Sequence, residues 1–179
     1  MVLITTALQE TFPKDINKKV LFLGEWCKVY SNKPAWQKFN SKTMPYHWDD
    51  RKKLYTDYQN IQIIYEKILF ELSNKLNQIH QVNYSLRYWR ILIGPWLGYF
   101  TQTLFDRWFM LSAAFENNQK CHCYIIKRKP FSFTSNNMSH FKQRYITDDW
   151  NEVVYGQLID LCWGNKVNIT WIAEINQTP

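Results

Sequence analysis

The amino-acid sequence predicts an α/β fold, helix-rich, in which a short, mostly parallel sheet is flanked by long helices. Short apolar runs bounded by turn residues read as buried strands, while two long stretches repeat their apolar residues at helical spacing. The third observation is compositional: five glycines and six prolines stand against 46% hydrophobic and 17% aromatic residues in a chain of 179. That balance excludes a collagenous, linker-like or disordered chain, because so much apolar surface offsets the entropy of ordering. The length suits one domain, and residues 1–179 are read as a single α/β domain. Nine Trp, eleven Tyr and eleven Phe exceed what a core of this size takes up, so some are expected to line a groove or meet another surface.

Val2 to Leu8 and Val20 to Gly24 are the first two strands, with the turn Pro13-Lys14-Asp15 between them. Glu25-Trp26-Cys27 then falls at the carboxyl end of the second strand, the edge where ligand crevices of parallel α/β sheets open. From Ser31 to Pro45 the chain reads as polar and irregular, apart from a helical turn around Ala35 to Phe39. A long helix follows, because Leu54, Tyr58, Ile61, Tyr65, Ile68, Leu72, Leu76 and Ile79 recur at three- and four-residue steps. Asp49 or Asp50 is its natural N-cap, and the pattern ends at His80-Gln81. Ser85 caps a second helix, Leu86 to Asn117, apolar on nearly every side and therefore expected to be central, with Gly94-Pro95 kinking or splitting it. Cys121 to Ile126 is the third strand, and residues 130–147 are expected to form a mobile loop. Asp148-Asp149-Trp150 opens an amphipathic helix carried by Trp150, Val153, Val154, Leu158 and Leu161, and Val167 to Ile172 is the last strand.

The formal net charge of +7 favours anionic partners, but the basic residues lie in small groups such as Lys18-Lys19, Arg51-Lys52-Lys53 and Lys127-Arg128-Lys129. No nucleic-acid motif accompanies them, and no nucleic-acid partner is expected. Met1 to Phe12 lacks the basic segment and apolar length of a signal peptide, and a cytoplasmic chain is expected. The most apolar stretch, Trp89 to Leu111, contains Arg90, Asp106, Arg107 and Pro95, too many interruptions for a membrane span. In that compartment the sequons at Asn83 and Asn168 carry no meaning. Of Cys27, Cys121, Cys123 and Cys162, only Cys121-His122-Cys123 forms a cluster, and its spacing suits buried reduced thiols better than a zinc site or a disulfide. No metal and no cofactor are expected.

The glycines at 24, 94, 98, 156 and 164 never form a phosphate-cradling loop, and Gly-x-Ser-x-Gly and His-Glu-x-x-His are absent, which argues against a P-loop enzyme, an α/β-hydrolase and a zincin. Two groups are candidate general bases: His47, with its near-neutral titration, and Glu25 after the second strand. Asp49, Asp50 and Arg51 surround His47 within one helix-opening turn and could orient a hydroxyl or clamp an anion; the plainer reading is an N-cap with packed aromatics and a salt-bridging Arg51. The plainer reading of Glu25 is an exposed loop carboxylate. Arg87 and Arg90, one turn apart beside Ser85, suit a phosphate or a carboxylate, or else Arg87 answers Asp57 or Glu66 on the preceding helix. Asp106-Arg107 reads as an ion pair.

Four words are longer than chance supplies: Val20-Leu21-Phe22-Leu23-Gly24-Glu25-Trp26-Cys27, Pro45-Tyr46-His47-Trp48-Asp49-Asp50-Arg51, Ser85 through Leu97, and Leu104-Phe105-Asp106-Arg107. In this order, from about Leu3 to Trp150, the chain resembles the N-terminal region of a family of transferases from bacterial O-antigen and surface-polysaccharide clusters. The resemblance implies sugar transfer and a fold similar to the Rossmann-like N-terminal half of a two-domain GT-B glycosyltransferase. It implies as partners a nucleotide-sugar donor, a glycan or lipid-linked acceptor, and a C-terminal domain missing here, since members of the family are longer. Work at the inner face of the membrane, with peripheral contact, would follow. The rival reading is a non-catalytic, basic and aromatic-rich module that grips an anionic glycan, a lipid-linked intermediate or a membrane face.

Overall fold

The computed structural model describes residues 1–117, 121–129 and 131–173. Within them the chain divides into two compact units, one formed by 1–46 and 108–179 and the other by 47–107. The first unit holds five strands: β1 (Val2–Ile4), β2 (Val20–Phe22), β3 (Ser41–Thr43), β4 (His122–Lys127) and β5 (Asn168–Ala173). All pair in parallel, in the order β3-β2-β1-β4-β5, so the sheet is entirely rather than mostly parallel. Every side chain of β1 and β2 is buried, as expected of the central strands of a parallel sheet covered on both faces.

β1 is shorter than its apolar run because the backbone beyond Ile4 bonds elsewhere. The Ala7 amide donates to Asp148 Oδ1 at 3.1 Å, and the Thr11 amide donates to the Leu8 carbonyl at 3.1 Å. β3 carries no apolar pattern, being Ser41-Lys42-Thr43, and lies in the interval that reads as irregular. It is an edge strand, registered by backbone pairing of Val20 with Ser41 and Phe22 with Thr43, which needs no apolar face.

α1 (Lys33–Trp36) precedes β3, and α4 (Met138–Arg144) and α5 (Asp148–Trp163) lie between β4 and β5. α4 falls in the interval that reads as loop; Asn137 caps it, accepting from the His140 amide at 2.9 Å. Pro130, at the head of that interval, lies outside the described residues. Thr147 caps α5 through the Trp150 amide at 3.3 Å. α5 buries Trp150, Val154, Tyr155 and Ile159, whereas Leu161, expected on the buried face, is exposed. Gly156 lets α5 close on β4: a Cβ there would come within 2.7 Å of Ile125 Cγ2. The core joins β1, β2 and β4 to Met110, Leu111, Ala114, Phe115, Tyr155 and Ile159.

The second unit contains α2 (Arg51–His80) and the portion of α3 (Leu86–Asn117) up to Arg107. Asp50 caps α2, its carboxylate accepting from the Lys52 and Lys53 amides at 2.9 and 3.2 Å. Gln81 ends it in the left-handed conformation at φ 53°, where the helical hydrogen-bond pattern stops. Asn77 then fastens the turn, accepting from Trp89 Nε1 at 2.9 Å and from the Tyr84 amide at 3.1 Å. Ser85 stands before α3 and accepts from the Tyr88 amide at 3.3 Å. Pro95 does not split α3, which runs unbroken through it. Nor is α3 buried all round here: Trp89 and Leu97 are covered, while Ile91 and Leu92 are exposed by 71% and 61%. No helix among the described residues is long and apolar enough to cross a membrane.

Candidate functional site

In the first unit, β1 and β4 are neighbours whose connections leave in opposite directions, β1 toward β2 and β4 toward β5. Such a switch point opens a crevice at the carboxyl edge of a parallel sheet. At the same carboxyl edge a cleft of about 480 Å³ is lined by Ala7, Leu8, Gln9 and Glu10, which follow β1, and by Asn32, which follows β2. The segment after β2 is tied to the end of β1, since Trp26 Nε1 donates to the Thr5 carbonyl at 2.9 Å and Cys27 Sγ lies 3.4 Å from the Ile4 carbonyl. Glu25 opens that same segment as an exposed carboxylate, 2.8 Å from Lys28 Nζ. Burial pushes the Cys27 thiol up to about 12, so it is not a nucleophile near neutrality.

Glu152 is the unexpected group at this edge. It lies on the buried face of α5, 2% exposed, and its Oε1 accepts from the Ile126 amide at the end of β4 at 2.8 Å. Its Oε2 has no hydrogen bond, and Arg128 Nε stands 4.0 Å away while the same guanidinium holds Asp149 at 2.6 Å. Burial raises the Glu152 carboxyl to about 7, opposed by the Ile126 amide and Arg128 and reinforced by Asp149 and Glu10. An acid set between Trp150 and Val153-Val154, residues that carry the helix's apolar face, was the signal available in the sequence.

In the second unit His47 is enclosed, its side chain 5% exposed. Its Nε2 lies 2.9 Å from Asp106 Oδ1 and its Nδ1 3.8 Å from Asp57 Oδ2. Lys53 pairs with Asp57, Arg107 pairs with Asp106, and Trp48 Nε1 donates to Asp57 at 3.0 Å. Two carboxylates and two fixed cations already balance, so a further imidazolium charge would be uncompensated. Burial accordingly lowers the His47 pKa, against the opposing pull of Asp106. Asp106-Arg107 is thus an ion pair, and Asp106 is also the histidine's partner.

The other residues singled out by the sequence separate. Asp50 and Ser85 are engaged with backbone amides as helix caps. Asp49 and Arg51 are exposed at the head of α2. Arg90, not Arg87, answers Glu66, through a two-pronged contact at 2.5 and 2.6 Å, and Arg87 is exposed. Glu25 belongs to the first unit, and His47, Asp49, Asp50, Arg51, Ser85, Arg87 and Arg90 to the second. Among the described residues no three His, Cys, Asp or Glu side chains converge as a metal site would require.

The strand order and the crevice at its carboxyl edge define a Rossmann-type α/β protein. Residues 1–178 match the LIC12162 family transferase, and the chain belongs to that family. Neither the curated proteins nor the solved structures yielded a match.

Proposed function

We propose that this chain is the acceptor-side, N-terminal portion of a GT-B-like glycosyltransferase of bacterial surface-polysaccharide or O-antigen assembly, working at the inner face of the membrane. The observation that carries the reading is the cleft at the sheet's carboxyl edge: Gln9, Glu10 and Asn32 line it, and among the described residues none that lines it is basic. Amides and a carboxylate suit the hydroxyls of an acceptor sugar and repel a diphosphate. The donor phosphates are then left to a C-terminal domain. Glu25, exposed at the same edge, takes the proton of the acceptor hydroxyl. The freed oxygen bonds to the anomeric carbon, and the nucleoside diphosphate leaves with the electrons of the broken bond. His47, enclosed against Asp106, positions the entrance to α2. Of the residues the sequence singles out in the second unit, Asp49, Arg51 and Arg87 are exposed and left to meet substrate or a lipid headgroup.

The test, made on a family member that carries the C-terminal domain as well, is transfer from a panel of nucleotide sugars to a lipid-linked acceptor. Glu25→Gln is expected to lower turnover on the order of 10²–10⁴-fold with the acceptor KM little changed. Unchanged turnover would remove Glu25 as the base, and saturable diphosphate binding in the Glu10 cleft would reverse the assignment of this side to the acceptor.

A further inference from the structure

A second cleft, of about 570 Å³, runs between α2 and α3 within the second unit, a size ordinary for small-molecule sites. Gly94, Pro95 and Gly98, of the residue types least favourable in a helix interior, fall within five consecutive positions of α3, and all three line this cleft. Packing accounts for Gly94, where a Cβ would come within 2.7 Å of the Tyr65 hydroxyl. It does not account for Gly98, where the nearest atom to a Cβ, Tyr65 Cε2, lies 3.9 Å away in ordinary contact. Alanine would fit there and hold the helix better, whereas glycine keeps the floor of the cleft open. Helix stability given up without a packing reason marks a position kept for something other than folding.

The walls indicate the ligand. Gln62 on α2 and Gln102 on α3 bring amides that both donate and accept. Tyr65 and Tyr99 add ring faces and hydroxyls, and the charge of Arg90 is met by Glu66. Amides and tyrosines without net charge match the apolar C–H faces and the hydroxyls of pyranose rings, and offer little to a phosphate. We infer that this cleft binds a short stretch of neutral oligosaccharide, with the tyrosines against the rings and Gln62 and Gln102 on the hydroxyls. The inference needs neither Glu25 nor the cleft at the sheet edge, so it stands or falls separately from the transferase reading.

Calorimetric titration of the chain with maltotriose and with triacetylchitotriose tests it, at low and high salt. Saturable binding of at least one trisaccharide is expected, with the same affinity at both salts because the ligand is neutral. Gly98→Leu, whose side chain fills the floor, should abolish binding while circular dichroism retains the helix content. Should that variant fail to fold, Gln102→Ala is the second readout, expected to weaken binding about three- to tenfold through one lost hydrogen bond. Absence of binding by the unaltered chain, binding that survives Gly98→Leu or Gln102→Ala undiminished, or competition by UDP would each overturn the inference.

Discussion

Replacing Glu152 by glutamine should remove that group's share of the pH dependence of the first unit's stability between about 5 and 8. Glu152 ionises near 7 when folded, against 4.5 when free. Such a raised pKa means that the folded state binds the proton more tightly than the unfolded chain, so the benefit is complete below 4.5 and is lost as pH rises through 7. At about 1.4 kcal/mol per unit, the displacement corresponds to a penalty of about 3 kcal/mol for carrying the ionised group at pH 8. Glutamine keeps an oxygen for the Ile126 amide and has no charge to lose, and Arg128 retains Asp149. At pH 8 the variant should therefore exceed the parent by up to that amount, a urea midpoint shift on the order of 1 M. Urea titrations at several pH values, with exchange protection of the Ile126 amide as the local probe, make the measurement. Parallel pH slopes for the two proteins, or a variant less stable at pH 8, would refute the burial argument. Glu152→Ala, by contrast, strands the Ile126 donor and should cost about 1–3 kcal/mol below pH 5, before any cavity is counted, a cost that the lost carboxylate charge offsets at pH 8.

The second unit should respond to pH with the opposite sign. A lowered His47 pKa means that the unfolded chain takes up the proton first, so stability falls as pH drops below about 6.5, and His47→Gln should flatten that acid limb in a denaturation series. Asp106→Ala leaves His47 and Arg107 without their buried carboxylate and should cost about 3–5 kcal/mol, read from the urea midpoint. Glycine-to-alanine changes should differ in sign: Gly98→Ala is expected to stabilise by about 0.5–1 kcal/mol, whereas Gly156→Ala meets Ile125 and should lower the melting temperature through about 1–3 kcal/mol of overpacking. Asp50→Ala should remove about 1 kcal/mol of cap stabilisation and Asp50→Asn almost none, compared by thermal melting.

Much of this architecture follows from local rules. Val2-Leu3-Ile4 and Val20-Leu21-Phe22 declare buried strands because no polar residue interrupts them, and both occupy the middle of the sheet. The start of α2 at Asp50 and its end at Gln81 lie where capping chemistry places them. β3 and α4 were not legible, since an edge strand of Ser-Lys-Thr is held by backbone pairing to β2, and a seven-residue helix is too short to show a period. Periodicity also misjudged exposure: Tyr58 and Ile79 keep helical spacing yet lie exposed, because period reports that a face is shared and not that anything covers it.

The candidate site divides in the same way. Composition and spacing marked Glu25 and the His47 segment, because those residue types are chemically distinctive wherever they fall. The contacts that build the two regions join distant residues, Asp106 lying 59 residues from His47 and Asp148 141 from Ala7, and no local pattern reports such a distance. The sequence by itself determined the apolar strands, the helix caps, and the absence of glycine-rich phosphate loops, all of which depend on neighbours within a few residues. Only the tertiary structure decided the strand order, the enclosure of His47, the burial that holds a proton on Glu152, and the clefts, because burial and charge pairing arise from residues that meet only once the chain has folded.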